Sequence, residues 1–154
     1  PKTCLVSYFI SQEKIYIFAI NAKQFEMQVV SLSNKNELHD LIKKYIRSIK
    51  MIKRRDFIKL SYKIYECVFS PIQACFYGIE QLMIIPDAEL FFLPFETLLT
   101  QETDLKMPYY ELPYLNKNFS LSYHYSVTLM ADSISKGILR VEETKSFAGF
   151  APNL

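Results

Sequence analysis

The chain has 154 residues, within the roughly 100–200 expected of one domain, and its 50% hydrophobic and 22% charged content excludes an intrinsically disordered segment. Lys and Arg number 18 against 16 Asp and Glu, and a net charge of +2 is too small to make nucleic acid or an anionic membrane the main partner. Average usage would place about 11 glycines in this length; the three present (Gly78, Gly137 and Gly149) lie too far apart for a Walker or Rossmann phosphate loop, which excludes nucleotide sites of those kinds.

The first third predicts a meander of three strands. Residues 4–10 and 14–20 are apolar on both faces, the pattern of strands covered on two sides. Phe25, Met27 and Val29 alternate with Glu26 and Gln28, so a third strand is expected with its Glu and Gln side wet. Leu38, Leu41, Ile42, Tyr45, Ile46 and Ile49 then keep the spacing of a helix with one buried stripe. Asn34 and Glu37 resemble its capping box. Asp56 suits the cap of a second helix burying Phe57, Leu60, Ile64 and Val68, and Ser70-Pro71 opens a short third helix that Gly78 ends. Residues 82–85 suit a buried strand closed by Pro86-Asp87, residues 90–93 are apolar again, and Pro94-Phe95-Glu96 opens a short helical stretch. Residues 100–117, with two prolines and many polar side chains, predict a long surface loop. Phe119, Leu121, Tyr123 and Tyr125 alternate with Ser120, Ser122 and His124 as a strand, followed by a helix over 126–135 and a last strand over 147–151. Strands, helices, then strand-helix-strand define an α/β class with a mixed sheet.

Three cysteines (Cys4, Cys67 and Cys75) without a CxxC pair give neither a zinc site nor a disulfide framework, and fit a reducing, cytoplasmic compartment. The longest uncharged stretches, 67–79 and 118–131, fall short of the ~20 residues of a membrane helix. The sequence starts at Pro1 without a methionine, so a piece of a longer protein is expected.

Candidate chemistry is sparse. Lys43, Lys44, Arg47, Lys50, Lys53, Arg54 and Arg55 form a basic run, expected as the solvated back of a helix and its connector rather than an anion patch. His39 falls in the first turn of a helix and suits the surface. His124 shares a strand face with Ser120 and Ser122, but one strand face supplies neither the third group nor the oxyanion hole of a catalytic triad. Cys67 and Cys75 have apolar neighbours and suit small buried hydrophobes. No catalytic residue, cofactor site or metal site is assigned.

Residues 84–99, Ile-Ile-Pro-Asp-Ala-Glu-Leu-Phe-Phe-Leu-Pro-Phe-Glu-Thr-Leu-Leu, resemble the signature of CHAT domains, the caspase-like domains often attached to tetratricopeptide repeats. In that family a buried strand leads to Pro-Asp-Gly-x-Leu and then Leu-Pro-Phe-Glu-x-Leu. Residues 5–20 are similar to its opening strand pair, 65–74 to its helix with a central proline, 119–129 to its Ile-Ser-Tyr-x-x-Ser-x-x-Leu segment, and 147–153 to its Gly-x-Pro strand end. Ala88 stands where the family usually has glycine, and Tyr125 where it usually has proline.

The resemblance implies a caspase-like α/β fold. Residues 1–154 would be the N-terminal part of one domain, with a strand meander at 1–32, helices at 34–78 and a Rossmann-like strand-helix-strand part at 79–154. The family's catalytic histidine and cysteine lie downstream of this chain, which by itself is expected to be inactive. The motif residues Asp87, Leu93, Pro94, Phe95 and Glu96 would be structural: Asp87 stabilising its turn by bonding nearby backbone N–H groups, Phe95 filling the core, Glu96 favouring the first turn of a helix. The intact protein would be a cysteine peptidase acting on a protein or peptide substrate. Its partners would be the remainder of the CHAT domain and upstream helical repeats. The alternative is a non-catalytic interaction or regulatory module, a degenerate CHAT domain.

Overall fold

The computed structural model describes residues 2–34, 36–126, 128, 129 and 132. The expected helix over 126–135 falls largely outside them, although Thr128, Leu129 and Asp132 are helical, and the expected strand over 147–151 falls wholly outside. Five strands form one mixed sheet: β1 (Thr3–Ser11), β2 (Lys14–Ile20), β3 (Phe25–Ser31), β4 (Gln81–Ile85) and β5 (Ser120–Tyr123), in the order β3-β2-β1-β4-β5. The meander β1–β3 is antiparallel, whereas β4 runs parallel to β1 and β5 parallel to β4. The α/β class with a mixed sheet is therefore established.

Two helices, α1 (Glu37–Lys50) and α2 (Arg54–Val68), connect β3 to β4. They share one core with the sheet face that carries Cys4, Val6, Tyr8, Ile15, Ile17, Ala19, Leu82 and Ile84. The expected short third helix follows α2 as a 3-10 helix at Ser70–Phe76, and Gly78 lies just beyond it at φ +74°, a conformation that costs glycine little.

Several expectations are corrected. The strands β1 and β2 are apolar on both faces but, among the described residues, helices cover only one. On β3 the polarity is reversed: pairing of Ala19 with Glu26 and of Ile17 with Gln28 turns the polar pair toward the helices. Phe25, Met27 and Val29 consequently stand on the open face. The cap of α1 is Asn36, not Asn34; the Asn34 side chain accepts the Asn36 N–H at 3.0 Å, and the Glu37 carboxylate reaches back to the Ser33 N–H. That backbone donor holds the Glu37 carboxyl below its usual range. Asp56 lies inside the first turn of α2, which Lys53 precedes as cap. The stretch 100–117 is not a free surface loop, because Leu112 and Leu115 are fully buried and Leu99 bridges Tyr114.

The link between α1 and α2 closes by a Schellman motif. The Lys53 N–H reaches the Ser48 carbonyl at 2.8 Å and the Ile52 N–H the Ile49 carbonyl at 3.1 Å. Ile52 therefore occupies the left-handed position, φ 53°, usually given to glycine.

Candidate functional site

In open α/β sheets, ligands collect beyond the carboxyl ends of the parallel strands. Here those ends belong to β1, β4 and β5, and residues 86–99 cross them. The pairing of β1 with β4 stops at Ser7 and Ile85, while β1 runs on to Ser11. An amide beyond that point needs another acceptor. Asp87 provides it: its Oδ2 accepts the Ile10 N–H at 2.7 Å. Asp87 thus ties the turn to the neighbouring strand through a backbone N–H. Ala88 then takes φ 46°, the left-handed conformation that glycine would adopt without strain.

The next residues anchor this edge to the core. Leu93 is buried and Pro94 precedes a 3-10 turn at Phe95–Thr97. The Phe95 side chain is 0% exposed, stacked 6.1 Å from Tyr8, edge-on 5.8 Å from Phe69 and tilted 6.0 Å from Tyr123. Glu96 Oε1 accepts the Tyr123 hydroxyl at 2.7 Å, joining the turn to β5. Burial, reinforced by the Glu96 carboxylate, raises the Tyr123 pKa, so this phenol keeps its proton and stands as a hydrogen-bond donor. Behind it the Thr97 carbonyl accepts from Tyr45 of α1 at 3.0 Å and from Ser61 of α2 at 3.1 Å. The Ser61 hydroxyl in turn accepts the Leu99 N–H at 2.8 Å. Four elements, β1, β5, α1 and α2, converge on one motif.

A crevice of about 240 Å³ lies beside it, walled by Pro86, Leu90, Leu93, Tyr123, His124 and Tyr125. His124 extends the ladder beyond β5, its N–H reaching the Ile84 carbonyl at 2.9 Å. The thiols lie elsewhere. Cys4 stands near the amino end of β1, on the order of 20 Å along the strand from its far end at ~3.3 Å per residue. Cys75 is buried beside β3, its S–H donating to Glu26 Oε2 at 3.3 Å. Cys67, in the last turn of α2, is half-buried. Burial pushes all three thiols above their ordinary pKa, Cys4 to about 11, which suppresses the nucleophilic thiolate. The crevice is lined by the His124 imidazole and by the Tyr123 phenol, whose hydroxyl is committed to Glu96.

The Ser122 hydroxyl donates to the Leu82 carbonyl at 3.5 Å, and among the described residues no hydrogen bond joins His124 to Ser120 or Ser122, so no triad is assembled. Among the described residues no group of three His, Cys, Asp or Glu is placed to hold a metal ion, and no helix is long and apolar enough to cross a membrane. The basic run divides. Lys43, Lys44, Arg47 and Lys50 are exposed on α1, as expected, but Arg54 is engaged: it donates to the Leu105 and Met107 carbonyls and lies 4.3 Å over the Tyr109 ring. Missed in the sequence is a groove of about 390 Å³ between α1 and Glu89–Phe92, where His39 Nδ1 lies 3.9 Å from Glu89 Oε1. The consecutive Phe91 and Phe92, beside core residues Leu90 and Leu93, were its only signal.

No protein-family model matches this chain, and no curated protein or solved structure matches it either.

Proposed function

We propose that this chain is the N-terminal scaffold portion of a caspase-like cysteine peptidase of the CHAT family, carried within a larger protein. The observation that carries the reading is residues 84–99 at the carboxyl edge. Pro86-Asp87-Ala88 crosses the strand ends in the conformation a Pro-Asp-Gly turn would take, and Leu93-Pro94-Phe95-Glu96 locks that crossing into the core and onto β5. Such a frame suits a wall of a peptide cleft. The catalytic cysteine and histidine are supplied by other residues of the intact protein. There a thiolate attacks the peptide carbonyl, backbone N–H groups hold the oxyanion, and the imidazole returns its proton to the leaving amine before water cleaves the thioester. A second reading, a regulatory or interaction module without peptidase chemistry, is favoured by the cation-rimmed groove between α1 and Glu89–Phe92.

Labelling of the intact protein with a peptidyl acyloxymethyl ketone, mapped by mass spectrometry, separates the two. The scaffold reading expects the label on a cysteine outside residues 1–154, and no cleavage of a mixed peptide library by residues 1–154 alone. Cleavage by this chain that Cys67→Ala or Cys75→Ala abolishes overturns it. An intact protein that takes no label leaves the interaction module.

A further inference from the structure

The outer stripe of α1 presents two chemistries side by side. Leu38, Leu41, Ile42 and Tyr45 enter the core, while Ile46 and Met51 form the floor of the groove over Ile42, closed on its far side by Phe92, which is 75% exposed. Lys43, Arg47 and Lys50 stand along the rim at i, i+4 and i+7, and among the described residues none has a carboxylate within ion-pair distance. Glu89, the one acidic residue of the lining, sits opposite His39 at one end.

From His39 to Met51 the helix rises ~18 Å, the length of about three turns of a partner helix. Cations at that spacing oppose carboxylates carried on successive turns of a helix laid alongside. We infer that this groove is the docking site for an acidic amphipathic helix of another protein, its apolar stripe seated on Ile46, Met51 and Phe92 and its Glu or Asp side chains paired with Lys43, Arg47 and Lys50. The groove is concave, so a flat bilayer does not reach the floor between α1 and Phe92. The inference is independent of which reading of the intact protein holds.

The test uses a fluorescein-labelled, hydrocarbon-stapled helical peptide of about 12 residues, with Leu along one stripe and Glu flanking it, and a twin with Lys in place of every Glu. Fluorescence anisotropy with the 154-residue chain is expected to saturate with the Glu peptide and to be at least tenfold weaker with the Lys twin. Three exposed ion pairs together are worth roughly tenfold. Combined Lys43→Glu, Arg47→Glu and Lys50→Glu should reverse the preference. Phe92→Ser should weaken both peptides; its exposure leaves folding intact, which circular dichroism checks. No saturation by about 1 mM peptide, equal affinity for the twins, or affinity unchanged in the charge-reversed chain overturns the inference. So does retention of the chain on phosphatidylserine-containing vesicles that is lost with the same three reversals, which would assign the stripe to a membrane.

Discussion

Replacing Phe95 with alanine tests whether the motif at the strand ends is a core anchor. The ring is fully buried among Tyr8, Phe69 and Tyr123, with the Phe95–Thr97 turn fixed behind it by two hydroxyls, so collapse around the gap is limited. A residual cavity of roughly 100 Å³ at about 24 cal/mol per Å³ costs about 2.4 kcal/mol, and the lost transfer energy of the phenyl adds ~2 kcal/mol. Phe95→Ala should therefore destabilise by about 4 kcal/mol, read from the urea midpoint and slope. Phe95→Leu, which keeps most of the volume, should cost under about 1.5 kcal/mol. Three residues upstream, Phe92→Ala provides the contrast: largely exposed, it should stay within about 0.5 kcal/mol of wild type. A loss below about 1 kcal/mol for Phe95→Ala, or equal losses for the two alanines, would refute the assignment of Phe95 to the core.

Ile52→Gly should raise the urea midpoint by an equivalent of about 1 kcal/mol: relief of a β-branched residue at φ 53° outweighs glycine's unfolded-state entropy, and an 80% exposed side chain gives up little burial. Gly78→Ala should have the opposite sign, about 1 kcal/mol destabilising, through its φ of +74° alone, since a Cβ there meets no neighbour within 4 Å. Burial raises the Cys4 pKa from 9.0 to about 11 in the folded state, so its contribution is full below pH 9 and is lost as pH climbs through 11. Within that window stability should fall by up to ~1.4 kcal/mol per pH unit, and in Cys4→Ala urea titrations the slope from this group should vanish. Ellman's reagent at neutral pH should modify the half-buried Cys67 first and reach Cys4 and Cys75 only on unfolding, as peptide mapping of the labelled chain would report.

The strands, both amphipathic helices and the mixed sheet were legible because each rests on a local period. What the period does not carry is which face wins. On β3 the alternation of Phe25, Met27 and Val29 with Glu26 and Gln28 was evident, but the hairpin set the register. Asn21 accepts the Lys23 and Gln24 N–H groups at 2.8 and 3.0 Å, fixing a turn from which a one-residue slip would exchange the two faces. Glu26 then serves the covered side by accepting the Cys75 thiol. Leu112 and Leu115 were hidden inside a polar, proline-bearing stretch, where two anchors do not alter the composition. At the site, Asp87 and Phe95 could be singled out from the motif, but the long-range acceptor role of Asp87 depends on β1 outrunning β4. That difference exists only once the strands pair.

Among the described residues two apolar surfaces stand out, a sheet face and the α1 groove, and their chemistry distinguishes what each can do. The sheet face that no described element covers presents Phe9, Phe18, Ile20, Phe25 and Met27, and across its described strand positions Lys14 is the only charged side chain. Monomeric proteins rarely leave so large an apolar patch open, and such a face selects by shape and area alone. The α1 groove is smaller and flanked by three cations. Salt therefore separates them. From 0.1 M to 1 M the Debye length shrinks from about 10 Å to about 3 Å, which screens the rim of the groove and leaves the hydrophobic attraction of the sheet untouched. In sedimentation at the two ionic strengths, any association through the sheet should persist or strengthen at 1 M and be weakened by Phe25→Ser, whereas the complex of the acidic helix should weaken by roughly tenfold. A helix complex that survives 1 M salt undiminished would mean that the cations on α1 do not recognise charge.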